Sequence, residues 1–460
     1  MSIVAAYAVP HPPLLLPEVG QGEERKLQLT LNAYERAMKE AAELAPETVI
    51  VASPHTVMYA DYFHIAPGEM ASGDFAAFGA PDLRVMADYD EPFAKELAKA
   101  ASAEGIAAGG VGGRGAALDH GVMVPLSFLE THTADFRLVR VGVSGLSPKE
   151  HYVFGRCIAR VAEELGRRAV FFASGDLSHR LTPDAPRGFA PEGPRFDKAC
   201  MKYLEEGDFL KLLRMDPALY QAAAECGLRS FWMMAGALDA KALKIKKLSY
   251  QGPFGVGYGV VSCKVTREDV RRSFAERYEI LEKRAREERR AAEDDYVQLA
   301  RHAIETIVRT GEPAARPQGL PSEMAERAGV FVSLKKDGEL RGCIGTFEPT
   351  AKNIAEEIIK NAASAALRDP RFPPVRADEL DELVYSVDVL TEPELVGSAD
   401  DLDAKRYGVI VESRGRKGLL LPDLPGVDTA EEQLRIARKK GGIPEDAAIR
   451  IWRFEVTRHT

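Results

Sequence analysis

Residues 171–180 read FFASGDLSHR: an apolar run without a turn-former, then Ser-Gly-Asp, then His179 three residues after the aspartate. Together with Ala169 and Val170, this is the pattern of a short strand buried on both faces, which delivers a polar turn at its carboxyl end. The same grammar occurs twice more. IVAAYAVP runs into His11, and TVIVASP runs into His55. Parallel sheets bind ligands outside the carboxyl ends of their strands, where the loops converge. If these three strands lie parallel in one sheet, three of the nine histidines share one edge.

The runs alternate with longer amphipathic segments, which is the signature of α/β layers. Strands are predicted at Ile3–Val9, Thr48–Ala52, Phe136–Val143, Ala169–Ala173 and Gly257–Val265. Helices are predicted at Glu24–Leu44, Glu91–Ala103, Pro148–Leu165 and Leu228–Leu238. The expected fold class is α/β, a mostly parallel sheet flanked by helices over residues 1–265. A densely charged stretch without Gly or Pro follows and reads as a connecting helix over residues 266–295. Residues 296–460 read as a smaller α+β domain with its own core.

A chain of 460 residues is too long for one hydrophobic core. Apolar content of 45% and charged content of 28% are those of a globular protein, and a net charge of −9 without a long basic stretch disfavours nucleic acid as a partner. The five cysteines, at 157, 200, 226, 263 and 343, form no C-x-x-C pair, as expected for a reducing, cytoplasmic setting. The apolar N-terminus has no basic n-region and is broken by prolines, so neither an export signal nor a membrane helix is expected. The sequence leaves the oligomeric state open.

Two neutral imidazoles and a carboxylate on one face of an ion bind Fe(II) and leave positions open. The third donor is sought in AAAECGLRS, where Glu225 and Cys226 precede a helix; a carboxylate buried there is costly without a cation or hydrogen-bond donors. A fourth histidine, His120, stands in LDHGVMVPL. The glycine run before it, Gly109 to Gly115, formally contains G-x-G-x-x-G, but no strand enters it, so it reads as a loop that lets His120 approach a substrate.

The ordered set AVPHPPLLLP, VASPHT, LDHGVMVPL, SGDLSHRL and GPFGVGYG resembles the LigB-like class III extradiol dioxygenases and the related Memo proteins over the first 265 residues. The resemblance implies that His11 and His55 bind iron and that His179 and His120 are acid/base residues. It also implies that a small catechol-like aromatic and dioxygen are the substrates. Asp176 is expected either to orient the His179 ring or to cap the turn. The dioxygenases use a glutamate as third ligand and Memo proteins a cysteine of a Cys-Gly pair; this chain offers both. The expectation favours Glu225, since a hard carboxylate suits Fe(II), with Cys226 as the alternative that suits copper, zinc or a thiolate-bound iron.

LRGCIGTFEP, ALRDPRFPPV and GLLLPDLPGVDTAEEQL resemble the AMMECR-type domain over residues 296–460. Proteins of these two kinds are often encoded with a radical SAM enzyme, so the resemblance implies such a partner; this chain has no three-cysteine cluster cradle, which places any such cluster on the other protein. Cys343, between two glycines, reads as a thiolate supported by Arg341 or as a small buried residue in a tight turn. The leading expectation is an Fe(II)-dependent extradiol dioxygenase fused to a substrate- or partner-binding domain. The alternatives are a Memo-like metal or redox accessory protein without ring cleavage and a zinc hydrolase.

Overall fold

The computed structural model describes residues 3–112, 117–336, 338–424 and 426–460. The chain divides into two compact units, Met1–Glu282 and Lys283–Thr460. In the first, six strands form one sheet: β1 (Ile3–Val9), β2 (Thr48–Ser53), β3 (Arg137–Gly142), β4 (Ala169–Ser174), β5 (Lys241–Gln251) and β6 (Tyr258–Glu268). Their spatial order is β3-β2-β4-β1-β6-β5. The first four are mutually parallel, and β6 and β5 close one side antiparallel.

Every residue of β2 and β4 is buried, as continuous apolar runs require when helices cover both faces. Alternate residues serve two cores. Ala6, Ala8, Ile50, Ala52, Phe171 and Ala173 belong to the layer that holds Phe154, Ile158 and Trp232 of helices Pro148–Glu164 and Leu228–Ala237. Tyr7, Val9, Val49, Val51, Val170 and Phe172 face the other, with Tyr34 and Met38 of helix Gln28–Ala42 and Val122 and Leu126 of helix His120–Leu129.

The Glu24–Leu44 expectation resolves into a 3-10 turn, Glu23–Leu27, and the helix from Gln28. Strand β5 carries no apolar run, because KALKIKKLSYQ lies at the sheet edge, where lysines keep a free strand from pairing with other chains. Several further elements have no counterpart in the sequence reading, among them helices His120–Leu129 and Glu192–Glu206 and the hairpin Met70–Phe75/Ala80–Asp88. The charged stretch is composite: the end of β6, a 3-10 turn at Val270–Arg272, then helix Ala275–Ala292, which has no buried residue.

The second unit contains two four-stranded antiparallel sheets. The first runs Glu339–Thr346, Val330–Lys336, Val384–Leu390, Val456–His459 in spatial order. Its core joins Val330, Val332, Leu334 and Tyr385 to Ala300 and Ile304 of helix Asp295–Thr310 and Ile358 and Ala362 of helix Ile354–Leu367. The second sheet runs Glu394–Val396, Arg450–Phe454, Gly408–Ser413, Arg416–Leu420. Ala437 of helix Ala430–Gly441 packs against its Val409 and Val411. Among the described residues, no helix is long and apolar enough to cross a membrane.

Candidate metal centre

Strands β1, β2 and β4 end side by side, with Val9 in register with Ser174, so His11 and His55 leave the same sheet edge. The Nε2 atoms of His11 and His55 are 3.0 Å apart, and Cys226 Sγ lies 3.6 Å from His11 Nε2. The three donor atoms all fall within 4.8 Å of one another. His11 is buried, Cys226 half-buried and His55 exposed, so the group opens to solvent on the His55 side. The His120 ring centroid stands 4.1 Å from that of His55 and 5.3 Å from that of His11.

Cys226 reaches the histidines because two turns pack backbone to backbone. The amides of Cys226 and Gly227 donate to the Asp176 carbonyl at 3.4 and 3.0 Å, and the Asp176 amide donates to Cys226 Sγ at 3.3 Å. A Cβ on Gly175 would sit 2.1 Å from the Gly227 Cα, closer than any side chain allows. The Ser-Gly-Asp and Cys-Gly pairs are therefore two halves of one contact.

Glu225 is not in the group, which corrects the expectation that favoured it. Its carboxylate turns the other way and accepts the Leu228 amide at 2.6 Å, capping helix Leu228–Ala237. The turn residue Ala224 has a left-handed φ of 52°, and an orphan amide at the helix start claims the carboxylate. Burial pushes Glu225 up to about 7, against the pull of the Leu228 amide and the Arg229 charge.

Asp176 also differs from expectation. Its Oδ1 accepts the His11 backbone amide at 2.9 Å, so it fixes the His11 loop and not the His179 ring; burial pushes it up to about 7. His179 is held by its backbone amide on Ala223, and its Nδ1 is buried without a hydrogen-bond partner among the described residues. His179 is not one of the three grouped donors, and its charge would disfavour a proton on His11. His120 opens its helix; the Asp119 carboxylate before it pairs with the buried Arg140 at 3.2 Å.

Burial, then the neighbouring His55, His120 and His179, holds His11 well below the usual imidazole range. Partial desolvation lowers His55 and His179, and burial with the His55 charge takes His120 to about 4. The cluster is therefore neutral at pH 7, the form in which imidazole binds metals. The Cys226 thiol is driven well above its ordinary range by burial and by the Asp176 and Glu225 charges, so only a cation would make it a thiolate.

These residues fit a transition metal. Nitrogens about 2.0–2.1 Å and a sulfur about 2.3 Å from one ion stand roughly 3.0–3.6 Å apart at angles near 90–110°. The observed 3.0 Å between nitrogens and 3.6 Å between nitrogen and sulfur match.

Residues 113–116, including the end of the glycine run, lie outside the described residues. In the second unit Arg341 pairs with Glu379 at 3.0 and 3.2 Å and does not support Cys343. Cys343 instead receives the Ser333 hydroxyl at 3.2 Å, and its amide donates to Asp369 at 2.8 Å. The sequence reading missed Ser53 and Ser174; their signal is that both runs before the histidine turns close on Ala-Ser.

Residues 5–261 match the family described as the catalytic LigB subunit of aromatic ring-opening dioxygenase, and residues 297–459 match AMMECR1. A Clostridium acetobutylicum protein is 42% identical over 468 residues, covering 100% of this chain and 99% of its own. A Thermotoga maritima protein is 54% identical over 170 residues, 36% of this chain and 98% of its own. The crystal structure of a Pyrococcus horikoshii protein, 38% identical, covers 35% of this chain and 88% of that one with a TM-score of 0.34.

Proposed function

The chain belongs through residues 5–261 to the family of the LigB catalytic subunit of aromatic ring-opening dioxygenases and carries an AMMECR1 domain, and from that premise we propose that its first unit is a metal-binding accessory protein of the Memo-like kind, redox-active where the ion is. His11, His55 and Cys226 hold the ion, and the second unit binds a substrate or a partner, for which a radical SAM protein is the proposal. The observation that carries this reading is the position of the Cys226 thiol beside the histidine pair, while Glu225 caps a helix.

Two imidazoles and a thiolate favour copper, zinc or a thiolate-bound iron over a purely oxygen-ligated ion. When bound, the ion supplies a Lewis-acidic centre, redox-active if copper or iron, with positions open on the exposed side. His11 and His55 present neutral nitrogens, and Cys226 gives up its proton on binding. His120, neutral at pH 7, faces the donors from the helix start and can accept a proton from an acidic hydroxyl. His179, also held below the usual imidazole range by burial, is the second proton carrier of this proposal.

The second reading, an Fe(II)-dependent extradiol dioxygenase acting on a catechol-like aromatic, is favoured by those two histidines around the donor group. Elemental analysis of anaerobically purified protein, with oxygen uptake on a catechol panel after Fe(II) loading, separates the two. The expected result is stoichiometric copper, zinc or iron, lost in Cys226→Ala, retained in Glu225→Gln, and no uptake. Uptake abolished by His11→Ala would establish the dioxygenase instead, and metal lost only in Glu225→Gln would overturn the donor set.

A further inference from the structure

Ser53 and Ser174 are the last residues of β2 and β4, and both are wholly buried. A hydroxyl has one proton to give. Ser174 Oγ lies 2.5 Å from the Gly121 carbonyl, which can only accept, so its proton goes there. His11 Nδ1, 2.9 Å from the same oxygen, must then be the donor of that contact. The His11 tautomer is thereby fixed as Nδ1–H, and its Nε2 is left as a lone pair that points at His55 Nε2 and Cys226 Sγ.

Ser53, one strand over, ties backbone and carboxylate and touches no ring nitrogen. Its hydroxyl donates to Asp119 Oδ1 at 2.6 Å and accepts the His55 backbone amide at 3.2 Å. A Cβ on Gly121 would sit 2.3 Å from Ser53 Oγ, so the helix start lies directly on this serine. Asp119 and Gly121 are the residues on either side of His120. The two serines therefore tie the His11 ring and the His55 loop to both flanks of His120.

We propose that Ser174 is a positioning residue that sets the His11 tautomer for metal binding. This rests on the metal reading above for its consequence, though not for the tautomer itself. Hydrogen bonds to the far nitrogen of a ligating histidine orient the ring, and their loss typically lowers metal affinity 10–100-fold. A merely structural role, joining β4 to the helix, would not select which ring nitrogen carries the proton.

The test uses the full chain labelled with ¹⁵N-histidine, metal-free, with long-range ¹H–¹⁵N correlation spectra and the His11 signal assigned from His11→Gln. Zn(II) affinity is measured in parallel by competition with a chromophoric chelator. Expected are the Nδ1–H tautomer in the wild type and a mixed or Nε2–H tautomer in Ser174→Ala. The same variant should bind Zn(II) 10–100-fold more weakly, with tautomer and affinity restored in Ser174→Thr. An Nε2–H tautomer in the wild type overturns the proposal even if Ser174→Ala fails to fold, and so does a Ser174→Ala variant that keeps both tautomer and affinity. A wild type that binds no Zn(II) but loses its Nδ1–H tautomer in Ser174→Ala would sink the metal reading and leave the positioning role supported.

Discussion

Gly175 and Gly227 stand between the two serine-edged strands and the thiol, and their value lies in what they lack. A methyl on Gly227 would meet Phe231 Cζ at 2.8 Å and the Asp176 carbonyl at 3.0 Å, and one on Gly175 would meet the Gly227 backbone. Overpacking of this kind costs about 1–3 kcal/mol. Gly175→Ala is expected to lower the urea midpoint accordingly and to weaken metal binding as well, because the turns that hold Cys226 must separate. Urea unfolding and Zn(II) titration on the same variant check both; unchanged affinity would mean that Cys226 does not depend on this contact. Cys226 itself was legible only as half of a choice. Glu225 and Cys226 are adjacent, and no spacing rule says which of two neighbours in a non-helical turn faces a site.

Helices and strands were the more readable scale. Ile3–Val9 and Glu91–Ala103 fall where hydrophobic period and capping residues put them, since those signals are local. Edge strand β5 was not readable, because its stability comes from pairing with β6 and not from its own apolar pattern. Helix Glu192–Glu206 carries a pH-sensitive tie: Asp197, buried, accepts the Ser178 amide and the Tyr250 hydroxyl at 2.8 Å each, and so joins the turn after β4 to β5. Burial pushes its carboxyl up to about 7. Between roughly pH 4 and 7 the folded state keeps a proton that the unfolded state has lost, so this group's stability contribution is complete below about pH 4 and is lost as pH rises through 7. Asp197→Asn has no such proton. Its unfolding free energy is expected to fall less than that of the wild type between about pH 5 and pH 8, measured by urea titration; equal slopes would contradict the assignment.

At the scale of the whole chain, the boundary between two units with separate cores falls within helix Ala275–Ala292, which has no fully buried residue. Segments with few buried contacts open most readily. Brief trypsin treatment is expected to cut first within Arg284–Arg290 and leave two folded fragments, identified by mass spectrometry. First cuts elsewhere would show that this helix is protected. A metal that binds only the folded first unit stabilises it by about 2.7 kcal/mol at a hundredfold excess over its dissociation constant. Calorimetry with Zn(II) is therefore expected to raise the transition of the fragment containing His11 and to leave the other in place; a shift in both would overturn the assignment of the ion to one unit.

The sequence by itself determined the α/β layering, strands β1 to β4 and β6, and the fact that His11, His55 and His179 follow strand ends, because apolar period and turn chemistry act over a few residues. It did not determine the third donor, the partners of Asp176 and Arg341, or the roles of Ser53 and Ser174. Those depend on segments far apart in the chain: Cys226 meets a histidine 215 residues away, and Ser174 joins His11 to a carbonyl 53 residues before it. Only the tertiary structure decided them, since which atom of a turn faces a site is set by the backbone packed against it, and that backbone is not a neighbour in sequence.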